Sequence, residues 1–280
     1  MNELSAKSIF DTFLNRADKK FGQNFLFDEK INRKIVSVAG ELSGKTVVEV
    51  GPGPGGLTLE ILKQSIKKLY VVELDTRVAE VWRTLQPQFG EKLEIIECDA
   101  LKFDLKNVTP DVVISNLPYN ISTELLLRWL PEFDICERYV LMFQKEVADR
   151  LCAVPKTKDY GRLSVLTQWK AKVSKAFDLD PGSFFPPPKV KSTVLKFDPF
   201  ERKNIIGVDH YEEFSDLLTE VFAHRRKMML KFLGKFFETP EITLASIGYS
   251  STTRAEEISV ADYIRLFESY LSSDKAKAKS

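Results

Sequence analysis

A β-branched run, Lys45-Thr46-Val47-Val48-Glu49-Val50, meets Gly51-Pro52-Gly53-Pro54-Gly55-Gly56 without interruption, and an apolar helical pattern opens at Leu57-Thr58-Leu59-Glu60-Ile61-Leu62. The run predicts a strand. The glycines allow left-handed backbone and let a ligand touch the main chain. This G-x-G-x-x-G spacing, between strand and helix, marks a nucleoside-cofactor turn in a parallel α/β sheet. The fingerprint alone does not separate NAD from S-adenosylmethionine, nor either from a turn that only closes helix on strand.

Two further strands are expected at Leu69-Tyr70-Val71-Val72-Glu73-Leu74-Asp75 and Leu93-Glu94-Ile95-Ile96-Glu97-Cys98-Asp99-Ala100. An acid at the end of the first could accept hydrogen bonds from both hydroxyls of a ribose. Asp75 is better read as the N-cap of a helix over 76–85. Asp99 either meets the amino group of a cofactor adenine or makes a turn before Ala100. Cys98 is expected to pack in the sheet.

A fourth strand, Asp111-Val112-Val113-Ile114, runs into Ser115-Asn116-Leu117-Pro118-Tyr119-Asn120-Ile121-Ser122, and a helix follows from Thr123. Asn116 to Tyr119 then sit at the carboxyl end of a strand, where open α/β sheets place ligands. Pro118 keeps Leu117 out of helix. One rim thus carries an amide oxygen on Asn116, a free carbonyl on Leu117 and the aromatic face of Tyr119. Two acceptors beside a flat face suit the exocyclic amine of a base. Gripping both hydrogens of an adenine N6 would favour a pyramidal nitrogen with its lone pair aimed at an electrophile, with no strong base needed. The competing reading is an ordinary strand-to-helix turn with an Asn cap.

Later stretches extend the pattern. Tyr139-Val140-Leu141-Met142-Phe143 predicts a strand, Gln144 to Leu151 and Gly161 to Trp169 helices, and Val173 to Leu179 and Ser192 to Phe197 strands. Between the last two, Pro181-Gly182-Ser183-Phe184-Phe185-Pro186-Pro187-Pro188-Lys189-Val190 forms a stiff loop. Phe185 is expected in the core. Phe184 is either a second core anchor or a stacking surface for a base opposite Tyr119. After residue 205 only helices are expected, at 211–222, 227–237 and 260–271. The organisation expected is an α/β domain over 1–200, a helical domain over 205–275 and a disordered tail over 275–280. In the helical part, Arg225-Arg226-Lys227 with Lys231 and Lys235 is either a phosphate-contacting cluster or a solvated helix face.

Composition sets outer limits. The formal net charge is only +1, so any nucleic-acid surface must be local. Cys98, Cys136 and Cys152 show no CxxC spacing, and with only two histidines no metal site is expected. No apolar run approaches a membrane span. The first residues lack a secretion signal, and Glu3 and Asp11 argue against an organelle transit peptide. A cytoplasmic protein is therefore expected.

Taken together and in order, these motifs resemble the ribosomal RNA small-subunit adenine N6-dimethyltransferases, the bacterial KsgA/RsmA branch. The resemblance rests on Lys20-Phe21-Gly22-Gln23-Asn24-Phe25-Leu26, Glu49-Val50-Gly51-Pro52-Gly53, Glu73-Leu74-Asp75, Asp99-Ala100, Asn116 to Ser122 and Phe184 to Val190. Phe222-Ala223-His224-Arg225-Arg226-Lys227 and Arg254 to Val260 add to it. It implies a Rossmann-like class I S-adenosylmethionine-dependent methyltransferase sheet with a smaller all-helical C-terminal domain. It implies dimethylation of two adjacent adenosines in the 3′-terminal hairpin loop of small-subunit rRNA. Cofactor contacts carried over by position are Asn24, Leu26, Gly51, Gly53, Glu73, Asp99, Ala100 and Asn116. The target site would be Asn116, Leu117, Pro118, Tyr119 and Phe184, with Tyr119 and Phe184 flanking the base. The expected partner is rRNA within a preformed 30S-type particle, bound by a monomer. The alternatives are a large-subunit adenine methyltransferase of the macrolide-resistance type and an assembly factor with a non-catalytic role. The Phe-Pro-Pro-Pro-Lys-Val loop and the long C-terminal part favour the small-subunit branch.

Overall fold

Buried strands alternating with amphipathic helices build the first part of the chain; the computed structural model describes residues 4–14 and 23–273. Lys20 to Gly22 and the expected tail lie outside the described residues. In order come α1 (Ala6–Ile9), β1 (Phe25–Leu26), α2 (Glu29–Val38), β2 (Thr46–Val50), α3 (Gly56–Leu62), β3 (Lys68–Glu73), α4 (Thr76–Leu85) and β4 (Leu93–Glu97). Then follow β5 (Val112–Ser115), α5 (Ser122–Trp129), β6 (Arg138–Gln144), α6 (Lys145–Leu151), α7 (Arg162–Lys170), β7 (Ala171–Leu179), β8 (Phe184–Phe185) and β9 (Ser192–Pro199). Helices α8 (Tyr211–Ala223), α9 (Leu230–Leu233), α10 (Pro240–Ser246) and α11 (Val260–Leu271) complete the described elements.

Seven strands join in the order β4-β3-β2-β5-β6-β9-β7. β4, β3, β2, β5 and β6 are mutually parallel, and Val47 of β2 lies opposite both Leu69 and Val112. β9 is antiparallel to β6. The chain steps outward from β2 to β3 and β4, then returns to the other side of β2 as β5. That reversal opens a crevice above the carboxyl ends of β2 and β5, the place where such sheets take ligands. Val47, Val48, Val113 and Ile114 are fully buried, as central strands covered on both faces require.

Helix starts follow local chemistry. The Asp28 carboxylate accepts from the backbone N–H of Lys30 at 2.8 Å and of Ile31 at 3.2 Å, capping α2. Asp75 caps α4 by accepting from the N–H of Arg77. Gly55 precedes α3 with φ of 91°. It has no room for a side chain, because a Cβ there would lie 2.2 Å from Cζ2 of Trp82. The Trp82 indole is fully buried and donates to the Gly53 carbonyl at 2.9 Å.

Two compact units emerge: Met1–Ala148 with Ser174–Pro199, and Asp149–Val173 with Phe200–Ser280. This differs from a cut near residue 200, because α7 belongs with the C-terminal helices. Trp169 packs edge-on against Phe214 with ring centroids 4.7 Å apart, and the Tyr160 hydroxyl donates to the Ile258 carbonyl at 2.8 Å. The helix expected over 227–237 shrinks to α9. Met228 bridges to Arg254, and the Met229 N–H donates to the Thr253 carbonyl. Those bonds hold the preceding residues out of the helix.

Gly55→Ala should destabilise the protein by about 2–4 kcal/mol, since it combines left-handed strain with a clash against a buried ring. Urea unfolding of the two proteins measures the difference.

Candidate active site and cofactor pocket

The crevice contains a cavity of about 230 Å³. Its walls come from β1 and the residues before it, the glycine turn, the ends of β3 and β4, and the segment after β5. Of the residues named from sequence, Asn24, Leu26, Gly51, Gly53, Glu73, Asp99, Ala100, Asn116, Leu117, Pro118 and Tyr119 all line it. Phe184 does not. Gly51 and Gly53 have φ of 70° and 51°, and a Cβ on Gly53 would lie 2.9 Å from the Phe25 ring. Backbone therefore forms the wall there, as close ligand approach needs.

Asn116 stands one residue beyond β5. Its Nδ2 donates to the Asn24 carbonyl at 3.0 Å. That bond settles which way the amide faces and leaves Oδ1 as its acceptor atom. The Leu117 side chain is buried, while Pro118 packs beside Gly51. The Tyr119 hydroxyl hydrogen-bonds Ser192 Oγ, which pins the ring. Burial raises the phenol above its usual pKa.

Acids line the other end. Glu73 is buried and its Oε1 accepts from the Asp75 N–H at 2.8 Å. Burial pushes its carboxyl up to about 7. Glu49, on β2, is more extreme: 1% exposed, with Oε2 buried and without a hydrogen-bond partner. Burial, with the charge of Glu73 nearby, pushes it up to about 8. Asp99 follows β4, and its Oδ1 accepts from the Leu101 N–H at 3.0 Å. It thus makes the turn expected of it, and it also lines the cavity.

Three corrections concern aromatic and basic side chains. Phe184 is buried, 5% exposed, and lies opposite Leu26 in the β1–β8 ladder. Phe185, expected in the core, is half-exposed and covers Phe10 and Phe27 with centroids at 5.6 and 6.1 Å. Successive strand residues point to opposite faces, so only one of this pair could turn inward, and it is Phe184. In the C-terminal unit, Arg225 binds Glu256 and the carbonyls of Lys158 and Thr157. Lys235 pairs with Glu220. Only Arg226, Lys227 and Lys231 of that cluster are exposed and outside these pairs.

Sequence reasoning missed Glu49 and Ser192. The signal for Glu49 was present, an acid inside an otherwise apolar strand one step before the glycine turn. Nothing local marks Ser192, which meets Tyr119 only through the tertiary fold.

The residues fit a cationic nucleoside cofactor: a glycine-walled turn, the acids Glu73 and Asp99 on the cavity, and the buried Glu49 carboxyl with one oxygen unpartnered. Fold and site together define a class I S-adenosylmethionine-dependent methyltransferase. The chain matches the family model of the ribosomal RNA adenine dimethylases over residues 14–272, and it belongs to that family. It is 44% identical over 255 residues to ribosomal RNA small subunit methyltransferase A of Rhodospirillum rubrum, covering 89% of this chain and 86% of that protein. The protein of the same name from Gluconobacter oxydans is 39% identical, with 97% and 90% covered. A dimethyladenosine transferase from Plasmodium falciparum superimposes with a TM-score of 0.77 at 26% identity, covering 90% of this chain and 98% of that one. The 23S rRNA methyltransferase ErmE, at 23% identity and a TM-score of 0.67 over 89% of this chain and all of its own, shares the fold.

Raised carboxyls make the pocket pH-sensitive in a defined direction. With folded pKa values near 7 and 8 for Glu73 and Glu49, above the usual carboxylate value, the folded state keeps protons that the unfolded state has lost. This stabilisation is complete below the usual carboxylate value of 4.5, falls as pH rises above it, and is gone once pH has passed the folded values near 7 and 8. The free protein should therefore lose Tm between about pH 5 and 8 from this cause. The Tm gain from S-adenosylmethionine should grow over the same interval, and Glu49→Gln should flatten both trends. Differential scanning fluorimetry against pH reads all three.

Proposed function

We propose that this chain transfers methyl groups from S-adenosylmethionine to N6 of two adjacent adenosines in the 3′-terminal hairpin loop of small-subunit rRNA. The observation that carries the reading is the acceptor pair at the tip of β5. Asn116, Leu117 and Tyr119 line the same cavity as the glycine turn, and the Asn116 Nδ2 bond to the Asn24 carbonyl leaves Oδ1 as its acceptor. The names of the relatives from Rhodospirillum rubrum and Gluconobacter oxydans support the small-subunit target.

The bound cofactor supplies an electrophilic methyl on a sulfonium. Asn24, Leu26, Gly51, Gly53, Glu73, Asp99 and Ala100 would hold it, with Glu73 on the ribose and Asp99 at the adenine amine. Glu49, whose carboxyl burial pushes up to about 8 in the free protein, would give up its proton more readily beside a positive ligand and so balance its charge. A target adenine must leave its stack, which costs less in a loop than in a duplex. Tyr119 then offers its face to the base. Asn116 Oδ1 and the Leu117 carbonyl accept hydrogen bonds from the two N6 hydrogens and stabilise the positive charge that develops there, and N6 gives up one proton to water after the methyl has transferred. Orientation is the main contribution, worth up to about 7–11 kcal/mol in well-aligned reactions. Phe184 backs the β1 wall of the pocket and sets its shape, so of the two rings Tyr119 is the one that the cavity presents.

A second transfer requires the monomethylated amine to turn and be gripped again. The preferred substrate is a preformed 30S-type particle, whose shape supplements the small exposed basic set, and the enzyme acts as a monomer in the cytoplasm, where such particles assemble.

Incubation with labelled S-adenosylmethionine and undermethylated small subunits tests the assignment. The expected product is N6,N6-dimethyladenosine in small-subunit RNA; label confined to large-subunit RNA would overturn it. Asn116→Ala should lower turnover by about 100-fold or more while its unfolding curve stays that of the wild type.

A further inference from the structure

We propose that Gln23 is a positioning residue for methyl transfer: by latching the strap 23–26 to Asp75, it places the Asn24 carbonyl that sets the orientation of the Asn116 amide. This rests on the function proposed above and adds to it a residue outside the reacting groups.

The strap is held at several points. At its far end, β1 pairs with β8, Leu26 opposite Phe184 and Phe25 opposite Phe185, and Asn32 Nδ2 donates to the Leu26 carbonyl at 3.1 Å. At the near end, Gln23 Nε2 donates to Asp75 Oδ2 at 3.1 Å. Between these anchors, the Asn24 carbonyl accepts from Asn116 Nδ2.

Asp75 is built as a fixed post. It is 3% exposed, caps α4, and receives Arg77 Nε at 3.0 Å and Nη2 at 2.6 Å. Its own N–H holds Glu73. The residue that anchors the strap therefore also sets the acid assigned to the ribose. An Asn amide has two faces of similar shape and opposite polarity. With the Asn24 carbonyl in place, only the orientation that donates toward it is satisfied, because the reverse would set two acceptors together. Oδ1 is thereby committed to the target side. A strap that shifts releases that choice.

The test measures kcat, the KM for RNA, cofactor affinity by calorimetry, and the ratio of monomethyl to dimethyl adenosine at matched turnover. Gln23→Ala should lower kcat by about 10- to 100-fold, the size expected for a small misplacement of a reacting group. Its cofactor affinity should fall by a smaller factor. Monomethyl product should accumulate, since the second transfer needs the grip re-formed. Loss of folded enzyme would lower both products together and leave the ratio alone. Gln23→Glu should be worse, because it sets two carboxylates face to face. Adding Asp75→Asn to it should recover much of the loss, since the new amide can donate across the latch. Wild-type kcat and product ratio in Gln23→Ala would overturn the latch, as would kcat and cofactor affinity falling in equal proportion with the ratio unchanged. Both results leave the proposed function standing. Absence of dimethyladenosine from the wild-type reaction would overturn the two together.

Discussion

The glycine turn packed on the Trp82 indole is the constraint on which the site depends. Backbone at positive φ carries the chain from β2 into α3, and a single indole N–H to the Gly53 carbonyl holds it there. With Gly55 pressed against the ring, the turn has no space to relax into another shape. Its outer face becomes a wall of main chain, and the neighbouring strand ends are placed relative to that wall. Because β5 lies directly beside β2, the tip carrying Asn116 to Tyr119 faces the same cavity. Cofactor wall and target rim are thus joined by one strand pairing.

Charge is distributed with a purpose that the net value of +1 conceals. Two glutamates are buried within one cavity, where neither is well solvated. Such burial costs stability in the free protein, and a cationic ligand offsets it. The C-terminal unit shows the opposite treatment. Part of its basic cluster is consumed by internal bonds, Arg225 to Glu256 and Lys235 to Glu220. A charge run read from sequence overstates the cations left for a partner, because some of them hold helices together.

The elements around the site also show how a reactive amide can be disciplined by distant residues. Asn116 follows a strand that the sequence announces plainly. Its orientation depends on Asn24, from a segment far earlier in the chain. Tyr119 likewise depends on Ser192, far later. The tip of β5 is thus held from both sides, by residues before and after it in the first unit.

Local signals in the sequence determined the strands β2 to β6, the glycine turn, the Asp75 cap and the Asn-Leu-Pro-Tyr rim, because each follows from periodicity, capping or backbone restriction within a few residues. The ordered motifs also identified the family. Tertiary structure alone decided which of Phe184 and Phe185 turned inward, since both fit a strand and only pairing with β1 selects the face. It alone moved α7 into the C-terminal unit, since that depends on which aromatic rings Trp169 meets. It alone cut the expected helix at 227–237 down to α9, through a bridge to Arg254. In each case the deciding partner lies far along the chain, where neither period nor propensity can register it.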